Sequence, residues 1–187
     1  MTLPPGIAYK CRHYTPATTR KINAIVIHTA ESAETPTSAE NVAQWMSGPN
    51  APEASIHVCV DNNSTVRCLE DHNIAWHAGA WEVNQRSLGI ELAGSAKQTP
   101  AQWADRYSQA VLEQAAQTVA AWCHHYGIPP IHLTPAQVAA GKAGLLGHVD
   151  ASHAYPVEAA KSGDHWDPGP NFPWAQFISK VVKHMPK

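Results

Sequence analysis

Four side chains in this sequence have the types and settings that metal-assisted hydrolysis requires: His28, His148, Asp167 and Glu91. A catalytic zinc site takes three protein ligands, holds them on rigid elements at a cleft edge and leaves a fourth position open to water. His28 ends the core of the apolar run "INAIVIHTA" and His148 ends "GLLGH", so both stand where a strand delivers a side chain to the rim of a sheet. Asp167 lies in "DHWDPGPNFPW". Pro168 fixes its own backbone angle and pushes the preceding residue toward extended geometry, which presets the direction of the carboxylate. Taken singly, each has a plainer reading: an Asp-Pro-Gly opens a turn ahead of a closing helix, and a histidine ending a strand is a partly buried polar residue. Three that can converge at one rim point to a metal. Glu91 sits inside the otherwise apolar strand "SLGIELAG". An unpaired carboxyl is costly there, so a functional acid is the favoured reading.

Positioning these residues takes strands and helices in an uneven alternation. Residues 22–30 read as a buried strand, and Thr37 with Glu40 makes a capping box for a helix through "AENVAQWMSG", closed by Gly48. "ASIHVCVD" and "STVRCLE" are alternating strands around the turn "DNNS", a hairpin. Residues 87–94 form a further strand. A long helix starts at Thr99-Pro100 with Gln102 completing a capping box, buries Trp103, Val111, Ala115, Val119 and Trp122 at three- and four-residue spacing, and stops at Gly127. A short helix over "TPAQVAAG", a brief strand over "GLLGH" and a closing helix over "FPWAQFISKVVKHM" follow. The first twenty residues and residues 149–163 read as loops. The expected class is α/β, a single domain over 1–187 with its core at about 20–184, built as a mixed central β-sheet flanked by α-helices.

Composition narrows the partners. At 187 residues the chain can bury a core without staples, and a net charge of −2 with no Lys or Arg run gives no reason to expect nucleic acid or an anionic membrane surface. No basic start leads into an apolar stretch, and nowhere do eighteen apolar residues run together, so neither an export signal nor membrane insertion is expected. The four cysteines are spaced too irregularly for a disulfide scaffold or a zinc knuckle. Cys59 and Cys68 flank the hairpin turn, and register decides between a bond and two buried thiols. Twelve histidines and seven tryptophans stand out. Histidine is the commonest metal ligand and tryptophan a platform for sugars and peptides, which suits a zinc enzyme acting on a bulky polar substrate.

"IVIHTAES", "AWHAG" followed by "NQRSLGIELAG", "GHVD" and "DPGPNFPW" occur in that order over residues 22–174. As an ordered set they resemble the motifs of the zinc-dependent N-acetylmuramoyl-L-alanine amidases of the type 2 amidase family, which also includes peptidoglycan recognition proteins and phage endolysin domains. The resemblance implies the fold of that family, zinc as cofactor, His28, His148 and Asp167 as its ligands and Glu91 as the catalytic glutamate. Some relatives carry a cysteine at the third ligand position; the carboxylate here is a harder ligand and leaves a more Lewis-acidic centre. Trp76 and His77 in "AWHAG" resemble residues near the substrate cleft, with Gly79 allowing the backbone close to a ligand. The family commonly has a lysine two residues before the third ligand, and here that position is His165, a candidate for oxyanion stabilisation whose charge depends on pH. The segment between His148 and Asp167 is longer than in compact relatives and brings His153 as a competing ligand. His148 ranks ahead because it follows the strand and a glycine. His57 is either a supporting residue or part of the core.

What the resemblance implies chemically is hydrolysis of the amide joining N-acetylmuramic acid to the L-alanine of the stem peptide, with Glu91 as general base. The expected partner is bacterial peptidoglycan and the expected state a monomer. With no signal peptide, the protein is expected to be made in the cytoplasm and to reach the cell wall through a phage holin-type pore, with cytoplasmic wall recycling as the other placement. Two rival readings stay open. A peptidoglycan-binding recognition module without catalysis would typically lack a full ligand set, whereas a zinc endopeptidase cutting within the stem peptide would share the metal and the base. The helix-borne HExxH site of many peptidases is absent from the sequence.

Overall fold

The computed structural model of the chain describes residues 6–163 and 165–186. A short strand, β1 (Tyr14–Thr15), leads into β2 (Ala24–Thr29), helix α1 (Ser38–Ser47), the hairpin β3 (Val58–Val60) and β4 (Thr65–Arg67), the two-residue β5 (Ile74–Ala75), the single turn α2 (Trp81–Asn84) and β6 (Ser87–Leu92). Helices α3 (Pro100–Trp103), α4 (Arg106–Tyr126) and α5 (Pro135–Ala139) precede β7 (Gly144–Gly147), and α6 (His148–Ala154), α7 (Pro156–Ser162) and α8 (Trp174–His184) complete the chain. The main sheet runs β4-β3-β6-β2-β7, with β3 and β4 antiparallel and the other pairs parallel. β1 and β5 form a separate antiparallel pair. The structure therefore has the mixed sheet flanked by helices that the sequence leads one to expect.

Period-two alternation divides the central strands between the two faces. Ile25, Ile27, Leu88, Ile90 and Leu92 point to the face covered by α4 and α8, where they meet Leu112, Val119 and Phe177 in the largest core cluster. Ala24 and Val26 face the other way, against Ala78, Val83 and Ala151. Trp103 and Trp122 are buried in the first of these clusters, as their helical spacing predicts. Arg20 fastens the incoming chain to this frame, donating to the carbonyl oxygens of Asp71, Asn84 and Ser87.

Several local expectations are corrected. The Thr37 side chain does not cap α1. Asp61 in the hairpin reaches across to accept the Ala39 amide at 3.1 Å, so a tertiary carboxylate satisfies the helix start and the local box is not needed. The long helix is two, because Thr99 closes a complete capping box on α3 and Asp105 then caps a second helix by accepting the Ser108 amide at 2.8 Å. Residues 149–163 are largely helical: α6 follows directly on β7, and Pro156 supplies a first-turn residue for α7. Cys59 and Cys68 share a face with their Sγ atoms 3.8 Å apart and are free buried thiols. No helix among the described residues is long and apolar enough to cross a membrane.

Glu113 on α4 ties down α8 by accepting from Lys180 Nζ at 2.9 Å and His184 Nε2 at 2.6 Å. The Lys180 and His184 bonds lower its carboxyl to about 2. A carboxyl depressed in the folded state contributes stability above its unfolded value, about 4.3, and loses that contribution as pH falls through the folded value. The advantage of the wild type over Glu113→Gln in urea midpoint is expected at pH 5 and should shrink toward zero by pH 2.5. An unchanged difference between those two pH values would show that the pairing does not couple the helices.

Candidate metal centre and catalytic cleft

The site begins with strand register. β2 and β6 are parallel neighbours with His28 opposite Glu91, so both side chains leave the sheet on the same side, one strand spacing apart. β7 lies on the other side of β2, and its last residue, Gly147, pairs with Ile27, which carries His148 to the same end of the sheet. The loop before α8 closes over this end. Val149 donates its amide to the Asp167 carbonyl at 3.0 Å, and Gly147 permits the approach, because a Cβ there would lie 2.6 Å from Pro168 Cδ. The Asp167–Pro168 peptide bond is cis.

These elements bring His28, His148 and Asp167 together, with one candidate ligand atom from each lying within 4.8 Å of the others. His28 Nδ1 is 2.9 Å from one carboxylate oxygen of Asp167, and His148 Nδ1 is 3.3 Å from the other. Both rings are buried. Burial would raise the Asp167 carboxyl, but bonds from His148 and His28 outweigh it and hold the group far below the usual range. Burial lowers His148, opposed by Asp167. Two imidazole nitrogens and a carboxylate converging in this way form a donor set that fits a divalent transition-metal ion. The ring of His165 stacks on His148 at 4.2 Å between centroids and 9° between planes. Its Nε2–H donates to the Ser162 carbonyl at 3.1 Å, and burial, with His148 beside it, lowers its pKa.

Glu91 faces the same cleft without a partner. Its Oε2 is buried and makes no hydrogen bond. Burial, then the negative charges of Asp167 and Glu31, pushes its carboxyl well above the usual range. A carboxyl whose pKa is raised by its surroundings is a candidate for proton transfer in the cleft. The cleft measures about 490 Å³ and is bordered by Trp45 and Trp76 as well as by these groups. Trp76 is 36% exposed and anchored by its indole N–H, which donates to Thr15 Oγ1 at 2.9 Å.

His77 is buried but still lines the cleft, and its Nδ1 lies 3.1 Å from His28 Nε2. His57 is a core residue whose Nδ1 accepts the Gly89 amide at 3.0 Å, and burial, with Arg20 nearby, lowers it to about 3. His153 is exposed on α6 and borders a different cavity with Trp166 and Trp174, so it does not compete for the metal position. Glu31 was not singled out from the sequence. Its carboxylate accepts from Thr29, Ser95 and Ala96 and so shapes the cleft wall. Its setting in a polar, loop-like stretch gave no signal of that.

A family profile described as N-acetylmuramoyl-L-alanine amidase matches residues 18–170. Comparison with curated proteins finds no match. Among solved structures, PlyL is 23% identical with a TM-score of 0.58, over 92% of this chain and 87% of that one. A mutant endolysin from Bacillus subtilis is 18% identical with a TM-score of 0.59, over 96% and 94%. The Staphylococcus aureus hydrolase AmiA in complex with its ligand is 17% identical with a TM-score of 0.61, over 99% and 88%. At these identities the likeness to the solved structures is one of fold.

If the three side chains hold a divalent metal, an excess of that ion should raise the thermal midpoint of the wild-type protein by mass action and a chelator should reverse the rise. At a free ion concentration a hundred times the dissociation constant the stabilisation is about 2.7 kcal/mol. Asp167→Ala should lose most of the shift. An equal shift in that variant would place the ion elsewhere.

Proposed function

The chain belongs to the type 2 N-acetylmuramoyl-L-alanine amidase family, and from that premise we propose that it is a zinc-dependent hydrolase of bacterial peptidoglycan, cutting the amide bond between N-acetylmuramic acid and the L-alanine of the stem peptide. One observation carries the reading: Glu91, whose Oε2 has no hydrogen-bond partner among the described residues, borders the cleft that contains the His28, His148 and Asp167 donor atoms, on the strand position paired with His28. His28, His148 and Asp167 are the residues that would hold zinc. Bound there, zinc supplies Lewis acidity to the scissile carbonyl and to the attacking water.

The chain's own groups do the rest. Glu91 takes a proton from the water and returns it to the departing amine of L-alanine, which is the work of a carboxyl with a raised pKa on the open side of the metal position. Trp76 and Trp45 offer flat apolar surfaces at the cleft mouth for the sugar and the peptide. His165, neutral and stacked on His148, gives its N–H to the developing oxyanion only after leaving the Ser162 carbonyl, so its part in catalysis is smaller than that of a fixed positive charge. Delivery to the wall through a holin-type pore remains part of this reading.

The test is the identity of the amino termini released from purified peptidoglycan by the zinc-loaded protein. New L-alanine termini, absent with Asp167→Ala, are expected; other termini would move the reading to an endopeptidase, and none with the wall still bound would make this a recognition module. Glu91→Gln should retain zinc and lose about 10²–10⁴-fold in turnover. Wild-type turnover in that variant would remove Glu91 from the base role.

A further inference from the structure

We propose that His77 is a positioning residue for the metal centre: with Ser87 behind it, it accepts a hydrogen bond from His28 Nε2 and so supports the Nε2–H form of His28 that a metal on Nδ1 would require. The inference rests on the metal reading above. It concerns how one ligand is prepared, by a residue that also lines the cleft.

The inference follows from proton accounting along three buried groups. His28 Nε2 and His77 Nδ1 are 3.1 Å apart, and His77 Nε2 and Ser87 Oγ are 3.3 Å apart. Each contact needs one donor and one acceptor, so for a neutral His77 the chain has two self-consistent arrangements. In the first, Ser87 donates to His77 Nε2, His77 Nδ1–H donates to His28 Nε2, and His28 carries its proton on Nδ1. In the second, every proton points the other way and His28 carries a proton on Nε2. The Ser87 hydroxyl has a single proton, and it lies 2.7 Å from the Val83 carbonyl, which can only accept. The shorter bond to an obligate acceptor claims that proton. Ser87 Oγ then accepts from His77, His77 Nδ1 accepts from His28, and the second arrangement is selected. His28 Nδ1, on the other side of the ring, lies 2.9 Å from Asp167 and gives its hydrogen to that carboxylate, a place a metal ion would take over.

His77 is suited to an acceptor's role. It is buried, and its Nε2 has the Ser87 hydroxyl oxygen to donate to. Its ring lies over Gly89, where a Cβ would come 2.8 Å from His77 Nδ1 and 2.9 Å from Cγ. Any side chain at 89 therefore evicts the imidazole from the position that meets His28. The backbone amides of His77 and Ala78 both donate to Asn84 Oδ1, at 3.2 and 2.8 Å, which fixes the segment carrying the ring. Hydrogen-bond partners behind a metal-bound histidine set its tautomer and orientation, and their loss typically weakens metal binding 10–100-fold.

The experiment is a zinc-affinity measurement by competition with a chromophoric chelator, with the thermal midpoint of each metal-free protein recorded alongside. His77→Ala is expected to weaken zinc binding 10–100-fold, and His77→Asn, which keeps an acceptor near the place of Nδ1, to recover most of the loss. Wild-type affinity in His77→Ala, or equal losses in the Ala and Asn variants at similar midpoints, would overturn the role. Should the variants fail to fold, the wild type still decides. In the zinc-loaded, ¹⁵N-labelled protein a scalar coupling across the His28 Nε2–H to His77 Nδ1 hydrogen bond is expected, and a proton on His77 Nδ1 overturns the proposal. Absence of zinc binding by the wild type is the separate result that sinks the metal reading itself.

Discussion

The pairing of β2 with β6 in a single register is the constraint on which the cleft depends. Because side chains alternate, the register that sets His28 opposite Glu91 also sets Ile27 opposite Ile90 and Ile25 opposite Leu88. The first pair lies at the cleft and the other two in the core against α4 and α8. A slip of one residue would exchange the two sets, burying an imidazole or a carboxyl among apolar helices and turning isoleucines to the cleft. Each isoleucine left in water would cost roughly 1.5–3 kcal/mol, so apolar packing on one face enforces the chemistry on the other. Along the same row of β6, Ser87 meets His77, Gly89 makes room for its ring and Glu91 borders the cleft.

Two carboxylates close to one another are driven in opposite directions by what surrounds them. Asp167 has an imidazole on each oxygen and stays ionised, whereas Glu91 is buried with an oxygen lacking any donor and is pushed toward its protonated form. The charge on Asp167 adds to the shift of Glu91. Environment thus separates a ligand from a proton carrier although the two groups are chemically alike. Glu31, engaged by three donors on the cleft wall, contributes to the same separation from a distance.

How much of this could be read from the sequence depended on whether a signal was local. The runs ending in His28 and His148, the acid inside an apolar strand and the Asp-Pro pair each announce themselves within a few residues, and the structure brings those four side chains to one place. The strands and the long amphipathic helix were legible for the same reason. Where the reading departed from the structure, a distant partner decided. Asp61 took over the start of α1 from Thr37, which no pattern near Thr37 reveals. The break before α4 hinged on Asp105, a second cap placed six residues after the first. His77 borders the cleft as its motif suggests, but its contact with His28 could not be read locally, because the room for its ring depends on Gly89, twelve positions away.

The segment between His148 and Asp167 shows why an apparent loop can be part of a site. Its two short helices lack a continuous apolar stripe, since α7 has no buried residue, and so they gave no helical period to read. Yet they return the chain so that the Ser162 carbonyl holds His165, and His165 covers one face of His148. The two histidine ligands are consequently held by different physics. His28 has a ring nitrogen of His77 behind it, while Nε2 of His148 is buried beside the Ala78 backbone with no well-aligned hydrogen bond among the described residues. Stacking fixes the plane of a ring but not its rotation within that plane, and for His148 the second restraint comes from Asp167, on the metal-facing side. His28 is therefore held from behind by His77 as well as in front by Asp167, whereas His148 relies on the stacked His165 and on Asp167.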